Sequence, residues 1–149
     1  MNYKQMKWDV RFMALATLIA SWSKDPNTKV GCVIVNDHFT AVGLGYNGFA
    51  RGVDDSDQRY ADREVKNQMV VHAEANAILN AARDVRGFTA YTTRFPCPSC
   101  ASLLIQSGIS RIVSDVLDPN SKWFKGHLLS QQMFIEVGVK HDFVRQVQS

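Results

Sequence analysis

The chain has 149 residues, of which 46% are apolar and 21% charged, with a formal net charge of +3. That length suits one domain with its own core, so residues 1–149 are read as a single unit. The ordinary composition excludes a disordered or fibrous chain. Lys and Arg scattered among acids exclude the basic stripe of a nucleic-acid binder, yet stay compatible with a small anionic ligand. Three cysteines are an odd count for a secreted disulfide framework, and cysteines needed as thiolates fit a reducing cytoplasm.

In chain order, the pattern predicts a first helix over residues 6–23, where Trp8, Phe12, Leu15, Ile19 and Trp22 recur at helical spacing. The apolar run from Phe12 to Ala20 is too short to span a membrane, so this helix is expected to be apolar on most sides and well covered. Ser23 to Thr28 reads as a turn through Pro26 and Asn27. Residues 30–35 and 40–46 flank the tight turn Asn36-Asp37-His38 as a β-hairpin, with Cys32 a small buried hydrophobe in its first strand. Residues 47–71 are polar, charged and Gly-containing, and predict a long loop with a short helix near its end. A helix follows over 72–85, closed by Gly87, then a strand over 88–93. A helix over 98–107 is closed by Gly108, a strand covers 111–116 and a helix 123–136. After Gly138 comes a last strand near 139–144. Strands separated by helices should be parallel with right-handed crossovers. The expected fold is α/β, a three-layer α/β/α sandwich around a mixed five-stranded sheet.

The chemistry concentrates in His72-Ala73-Glu74 and, 25 residues beyond the histidine, Cys97-Pro98-Ser99-Cys100. One imidazole and two thiolates can hold Zn²⁺, balance its charge and leave a fourth position for water, whose pKa falls to roughly 7. Pro98 suits the first position of a helix. Cys97 then caps it, and Cys100 faces the same way one turn on. The helix end favours both sulfurs as thiolates. Glu74 does not share a helix face with His72, but at a helix tip both reach over the end. Glu74 can then take a proton from water and pass it to a bound substrate. H-x-E followed by P-C-x-x-C is the general zinc-deaminase signature. Two other readings use part of this set. A redox CxxC leaves His72 and Glu74 without a role. A closed structural zinc site needs a fourth ligand from His38, His127, His141 or Cys32, none of which has paired spacing; these histidines are read as ordinary surface or core residues.

Together with Ser23-Lys24-Asp25-Pro26-Asn27, Val33-Ile34-Val35-Asn36, Gly45-Tyr46-Asn47-Gly48, Ala75-Asn76-Ala77-Ile78 and Gln106-Ser107-Gly108-Ile109, these motifs resemble the cytidine deaminase-like superfamily over nearly the whole chain. Within it the resemblance is closest to the deoxycytidylate (dCMP) deaminase family, on the Gly-Tyr-Asn-Gly stretch and the charged insertion before His72. The resemblance implies a hydrolase that converts dCMP to dUMP and ammonia and feeds thymidylate synthesis. It implies one catalytic Zn²⁺ per chain on His72, Cys97 and Cys100, Glu74 as proton shuttle, and Asn27 and Asn47 at the substrate. Arg83 stands where the family often has an Arg, for phosphate contact or assembly, and Lys29 is a second cation to consider for the substrate phosphate. The resemblance also implies a hexamer activated by dCTP and inhibited by dTTP, with Mg²⁺ accompanying the triphosphate. That effector is expected at Tyr46, Gly48, Arg51 and Gly52, near a subunit interface, where glycines let the backbone approach phosphates. The family usually continues this loop with Pro, where this chain has Ala50. No nucleic-acid or membrane partner is expected. The alternatives are a deaminase of the same fold acting on another base, nucleoside or transfer RNA, and a zinc-stabilised module without turnover.

Overall fold

A continuous apolar run such as Gly31–Val35, buried at every position, requires a sheet covered on both faces, and the computed structural model, which describes residues 2–145, has that arrangement. Strands β1 (Gly31–Val35), β2 (Ala41–Tyr46), β5 (Thr89–Thr92), β6 (Arg111–Ser114) and β7 (Lys140–Phe143) form one sheet in the order β2-β1-β5-β6-β7. β1 is antiparallel to β2 and to β5, whereas β5, β6 and β7 run parallel. The sheet is therefore mixed and five-stranded, as the hairpin followed by strand–helix alternation requires.

Successive residues of each strand face opposite layers. Cys32, Ile34, Ala90 and Ile112 pack with residues of α4 (Ala73–Ala81), α5 (Pro98–Gln106) and α6 (Phe124–Val137), among them Ala77, Leu104 and Phe134. Val33, Val35, Tyr91 and Val113 pack on the other side against Phe12, Met13, Ala16 and Ile19 of α1 (Tyr3–Ala20). Gly43 and Gly45 let α4 lie directly on β2. A Cβ at either position would collide with the α4 backbone around Ala73 to Ala77. This seating matters because α4 carries His72 and Glu74 at its N-terminal end.

The structure differs from the sequence expectations in three places. First, α1 is covered on one side only. Phe12 and Ile19 are buried and Trp8 and Leu15 partly so, but Val10, Leu18 and Trp22 are each more than half exposed. Its neighbour is one sheet face, which covers one stripe of a helix and no more. Second, α4 ends at Ala81, with Ala82 in the left-handed region (φ 52°) as its cap, and Gly87 (φ 80°) serves the turn beyond. Third, the insertion is largely ordered: β3 (Gly48–Phe49), α2 (Asp57–Ala61), α3 (Arg63–Met69) and β4 (Val70–Val71) occupy most of it. β3 and β4 pair antiparallel, and Phe49 packs on Tyr60 with ring centroids 4.6 Å apart. Ser56 and Asp62 cap the two short helices through their side chains, which gives this polar stretch local order without a long apolar repeat.

Behind the sheet, on the α1 side, a buried polar cluster crosses the layers. Asp9 accepts hydrogen bonds from Arg111 Nη1 and Nη2 at 2.9 and 2.7 Å and from the Tyr91 hydroxyl at 2.7 Å. Arg111 Nε also donates to Asp142 at 2.9 Å. The cluster ties α1 to β5, β6 and β7.

Candidate active site

Two helix N-termini meet at one spot. His72 is the N-cap of α4 and Cys97 the N-cap of α5, with Pro98 opening the latter. Neither cap side chain bonds to its own helix, so both are free to turn toward each other. The sulfurs of Cys97 and Cys100 lie 3.6 and 3.3 Å from His72 Nδ1, and the three ligand atoms fall within 4.8 Å of one another. Zinc bonds of about 2.0–2.1 Å to nitrogen and about 2.3 Å to sulfur place tetrahedral neighbours about 3.5 Å apart. The donor set and the two nitrogen–sulfur separations therefore suit a single tetrahedral ion.

The electrostatics support the same fit. The Cys97 sulfur is pulled down to about 4, first by the hydrogen bond from Cys100 and also by His72, against the opposing effect of burial. The Cys100 thiol is pushed far up by the same pairing and by burial. The opposed directions come from two sulfurs placed side by side, and a divalent cation between them would favour both as thiolates. His72 is raised, chiefly by its contact with Cys97. Glu74, only 4% exposed, is raised above the usual carboxylate value by burial, with a hydrogen bond to Cys100 acting the other way.

These residues open into a cavity of about 720 Å³, a size typical of small-molecule sites. The opposite wall comes from the insertion and from the loop after α1. Tyr60, Arg63, Lys66 and Asn67 line it, together with Asp25, Asn27 and Thr28. Lys66 and Asp25 form a buried ion pair at 3.2 Å, their residues 8% and 3% exposed. The same carboxylate accepts from the backbone N–H of Asn27 at 2.9 Å and of Thr28 at 3.2 Å. Asn47 accepts from Val30 N and donates to the Thr28 carbonyl, each at 2.8 Å. Its amide keeps one further donor and one further acceptor site, and it lines the cavity.

Asn27 and Asn47 thus reach the cavity that holds His72, Glu74 and Cys97. Lys29 and Arg83 do not line it. The Lys29 ammonium donates to the Ser23 carbonyl, and Arg83 stacks over Phe88 at 5.2 Å beyond the far end of α4. Tyr46, Gly48, Arg51 and Gly52 also lie outside the lining. Tyr46 packs edge-on against Trp22, and Arg51 donates to Asn80 at 3.1 Å on the outer side of α4. The structure adds residues that sequence reasoning missed: Arg94, Lys122, Trp123 and His127 all line the cavity. His127 is 7% exposed, its imidazole kept low by burial and by the Arg94 charge. Arg94 carried a signal, standing three residues before Cys97 at the end of a strand that leads into the motif. A lone His in α6 carried none.

Residues 6–115 match the family described as the cytidine and deoxycytidylate deaminase zinc-binding region. The chain belongs to that family. A protein of Aliivibrio fischeri described as a deaminase in the luxG 3′ region is 45% identical over 136 residues, 90% of this chain and 91% of its own. Human deoxycytidylate deaminase is 44% identical over 114 residues, which span 72% of this chain and 64% of the human one. The crystal structure of dCMP deaminase from cyanophage S-TIM5 superposes with a TM-score of 0.74 at 21% identity, over 97% of this chain and 100% of that one. At that identity the likeness shows the shared deaminase fold.

Proposed function

We propose that the protein catalyses zinc-dependent hydrolysis of dCMP to dUMP and ammonia. The observation that carries this reading is the convergence of His72, Cys97 and Cys100 on one point of a cavity wall, with the buried carboxyl of Glu74 beside them. The matched deoxycytidylate deaminases support the substrate class, as does a cyanophage relative of the same fold solved with dCMP and dUMP. Arg63, Arg94 and Lys122 add positive charge to the cavity, which suits an anionic nucleotide.

His72 Nδ1 and the two sulfurs would hold the ion. Bound there, Zn²⁺ supplies an acidified water with a pKa of roughly 7. Glu74 takes a proton from the attacking water as its oxygen adds to C4 of the ring, and passes it to N3. Glu74 then takes the proton of the new C4 hydroxyl and delivers it to the exocyclic amine as the C4–N bond breaks, leaving a C4 carbonyl and ammonia. Burial favours this duty, since it raises a carboxyl toward the pH at which it both accepts and donates. Asn27 and Asn47 line the same cavity; Asn47 is assigned to the sugar and pyrimidine and Asn27 to the substrate pocket. The test is ammonia release from dCMP, dCTP, cytidine and cytosine, with zinc measured by elemental analysis. About one zinc per chain and preference for dCMP are expected; active protein with less than half a zinc per chain, or no turnover of dCMP, overturns the reading.

The reading extends to a cytoplasmic hexamer supplying dUMP for thymidylate synthesis, with dCTP activating and dTTP inhibiting, Mg²⁺ accompanying the triphosphate. Its support is the position of Tyr46, Gly48, Arg51 and Gly52 outside the substrate cavity, where an effector would not compete for it. No helix of the described residues is long and apolar enough to cross a membrane. Kinetics in millimolar dCTP and dTTP test the regulation: opposite shifts of the substrate curve are expected, and unchanged curves refute it.

A further inference from the structure

Arg94 differs from the other cations on the cavity wall. Lys66 is buried against Asp25, while Arg63 and Lys122 are exposed to solvent. Arg94 is half-buried, and no carboxylate of the described residues forms an ion pair with it. Withdrawing a guanidinium from water without an anion is costly, and burial does disfavour its charge here. The cavity has two acids to offer. Asp25 is committed to Lys66 and to the Asn27–Thr28 backbone. Glu74 is the proposed proton shuttle, and a guanidinium clamped on it would block proton transfer. The Glu74 charge in the same cavity favours the Arg94 cation, but no ion pair joins the two among the described residues, so the guanidinium keeps donors for an incoming anion. The strand β5 fixes its position: the Thr92 hydroxyl donates to the Arg94 carbonyl at 3.0 Å, and Thr93 N–H donates to Gly31 at 3.0 Å. The fork is thus presented from a rigid edge, with Phe95 buried immediately after it.

We propose that Arg94 binds the 5′-phosphate of the substrate and sets the preference for a nucleoside monophosphate over the free nucleoside. A planar guanidinium pairs with phosphate through two parallel N–H···O bonds, a geometry that an ammonium cannot copy. The inference rests on the deaminase reading for the identity of the nucleoside, but its test does not depend on turnover. Calorimetry of zinc-loaded protein with dUMP and with deoxyuridine reads the phosphate alone. Wild type should bind dUMP more tightly than deoxyuridine. Arg94→Leu should weaken dUMP binding by about 10- to 100-fold, the worth of hydrogen bonds to a charged group, and leave deoxyuridine unchanged. Arg94→Lys, which keeps the charge and should fold even if the Leu variant does not, should fall between. The KM for dCMP should follow the same order and rise by a larger factor than kcat falls, with zinc content unaltered. Equal losses for dUMP and deoxyuridine would place Arg94 on the ring or in the scaffold and overturn the proposal. Undiminished dUMP binding would place the phosphate at Arg63 or Lys122 and overturn it equally. If wild type shows the dUMP preference and the Arg94 dependence yet releases no ammonia from dCMP, the deaminase reading fails while the phosphate assignment stands.

Discussion

The cavity has two facing walls built by opposite means. On the motif wall, His72, Glu74, Cys97 and Cys100 sit in the first turns of α4 and α5 or cap them, so local backbone geometry aims each side chain. On the insertion wall, Lys66 reaches Asp25 across 41 positions of sequence, and Asn47 braces a loop 17 to 19 residues before it. The first wall follows from helix capping and spacing. The second exists only once the tertiary fold has closed. The aim of each side chain on the first wall is thus set locally, although His72 meets Cys97 and Cys100 across 25 and 28 residues, whereas the second wall is held by long-range contacts throughout. Substitutions on the two walls should fail in different ways.

The largest effect is expected on the motif wall. Glu74→Gln keeps the shape of a buried side chain but cannot accept a proton. It should retain the zinc and the melting temperature while kcat falls by roughly 10²–10⁴-fold. Steady-state rates with dCMP, paired with zinc analysis, check this; a Gln variant at near-normal rate removes Glu74 from the reaction.

On the insertion wall the signature should be mixed. Lys66→Met leaves the Asp25 carboxylate buried and unpaired, which costs about 3 kcal/mol when one partner of such a pair is removed. It also loosens the loop that carries Asn27. Thermal unfolding should show the loss, and the KM for dCMP should rise more than kcat falls, with zinc occupancy unchanged. Lys66→Arg restores the charge and should recover the KM. If Lys66→Met lowers the melting temperature but leaves the KM alone, the pair is scaffold only and the two walls are not functionally distinct in the way described.

The same contrast explains what the sequence disclosed. The sheet and its covering helices follow from apolar periodicity, and the metal cluster follows from H-A-E and C-x-x-C because capping places those side chains within a turn of a helix end. Inside residues 47–71 the short helix near the end was legible and is α3, but α2 and the β3–β4 pair were not: they are held by the Ser56 cap and by Phe49 against Tyr60, none of which has a periodic signature. The phosphate candidates Lys29 and Arg83 illustrate the limit. Both are cations near motifs in sequence, yet one is tied to the Ser23 carbonyl and the other lies past the C-terminal end of α4. Proximity along the chain carries no information about which side of a cavity a long side chain reaches. The covering of α1 is a similar case: spacing predicts a helix, but only the number of neighbours decides how many of its faces are buried.

The smallest effect is expected away from both walls, and it calibrates them. Asp9 lies behind the sheet, held by Arg111 and Tyr91. Burial works to raise its carboxyl, but the hydrogen bonds from Arg111 and Tyr91 and the Arg111 charge prevail and hold it below 3.8. A carboxylate depressed on folding stabilises the protein at pH values above its unfolded value, and that contribution is lost as pH falls through the folded one. Asp9→Asn should therefore cost about 2 kcal/mol at neutral pH, where Arg111 loses a charged partner. The difference in melting temperature between wild type and variant should shrink as the pH falls below the ordinary aspartate value toward the lower folded one, because Asp9 of wild type is then protonated first in the unfolded and finally in the folded state. The KM for dCMP and the zinc content at neutral pH should not change, since the cluster faces α1 and the cavity lies on the α4 side. A pH-independent gap would mean that Asp9 acts through shape rather than charge. A raised KM would mean that the sheet transmits strain from its back face to the cavity, and the Lys66 result could then no longer be assigned to the loop that Lys66 holds.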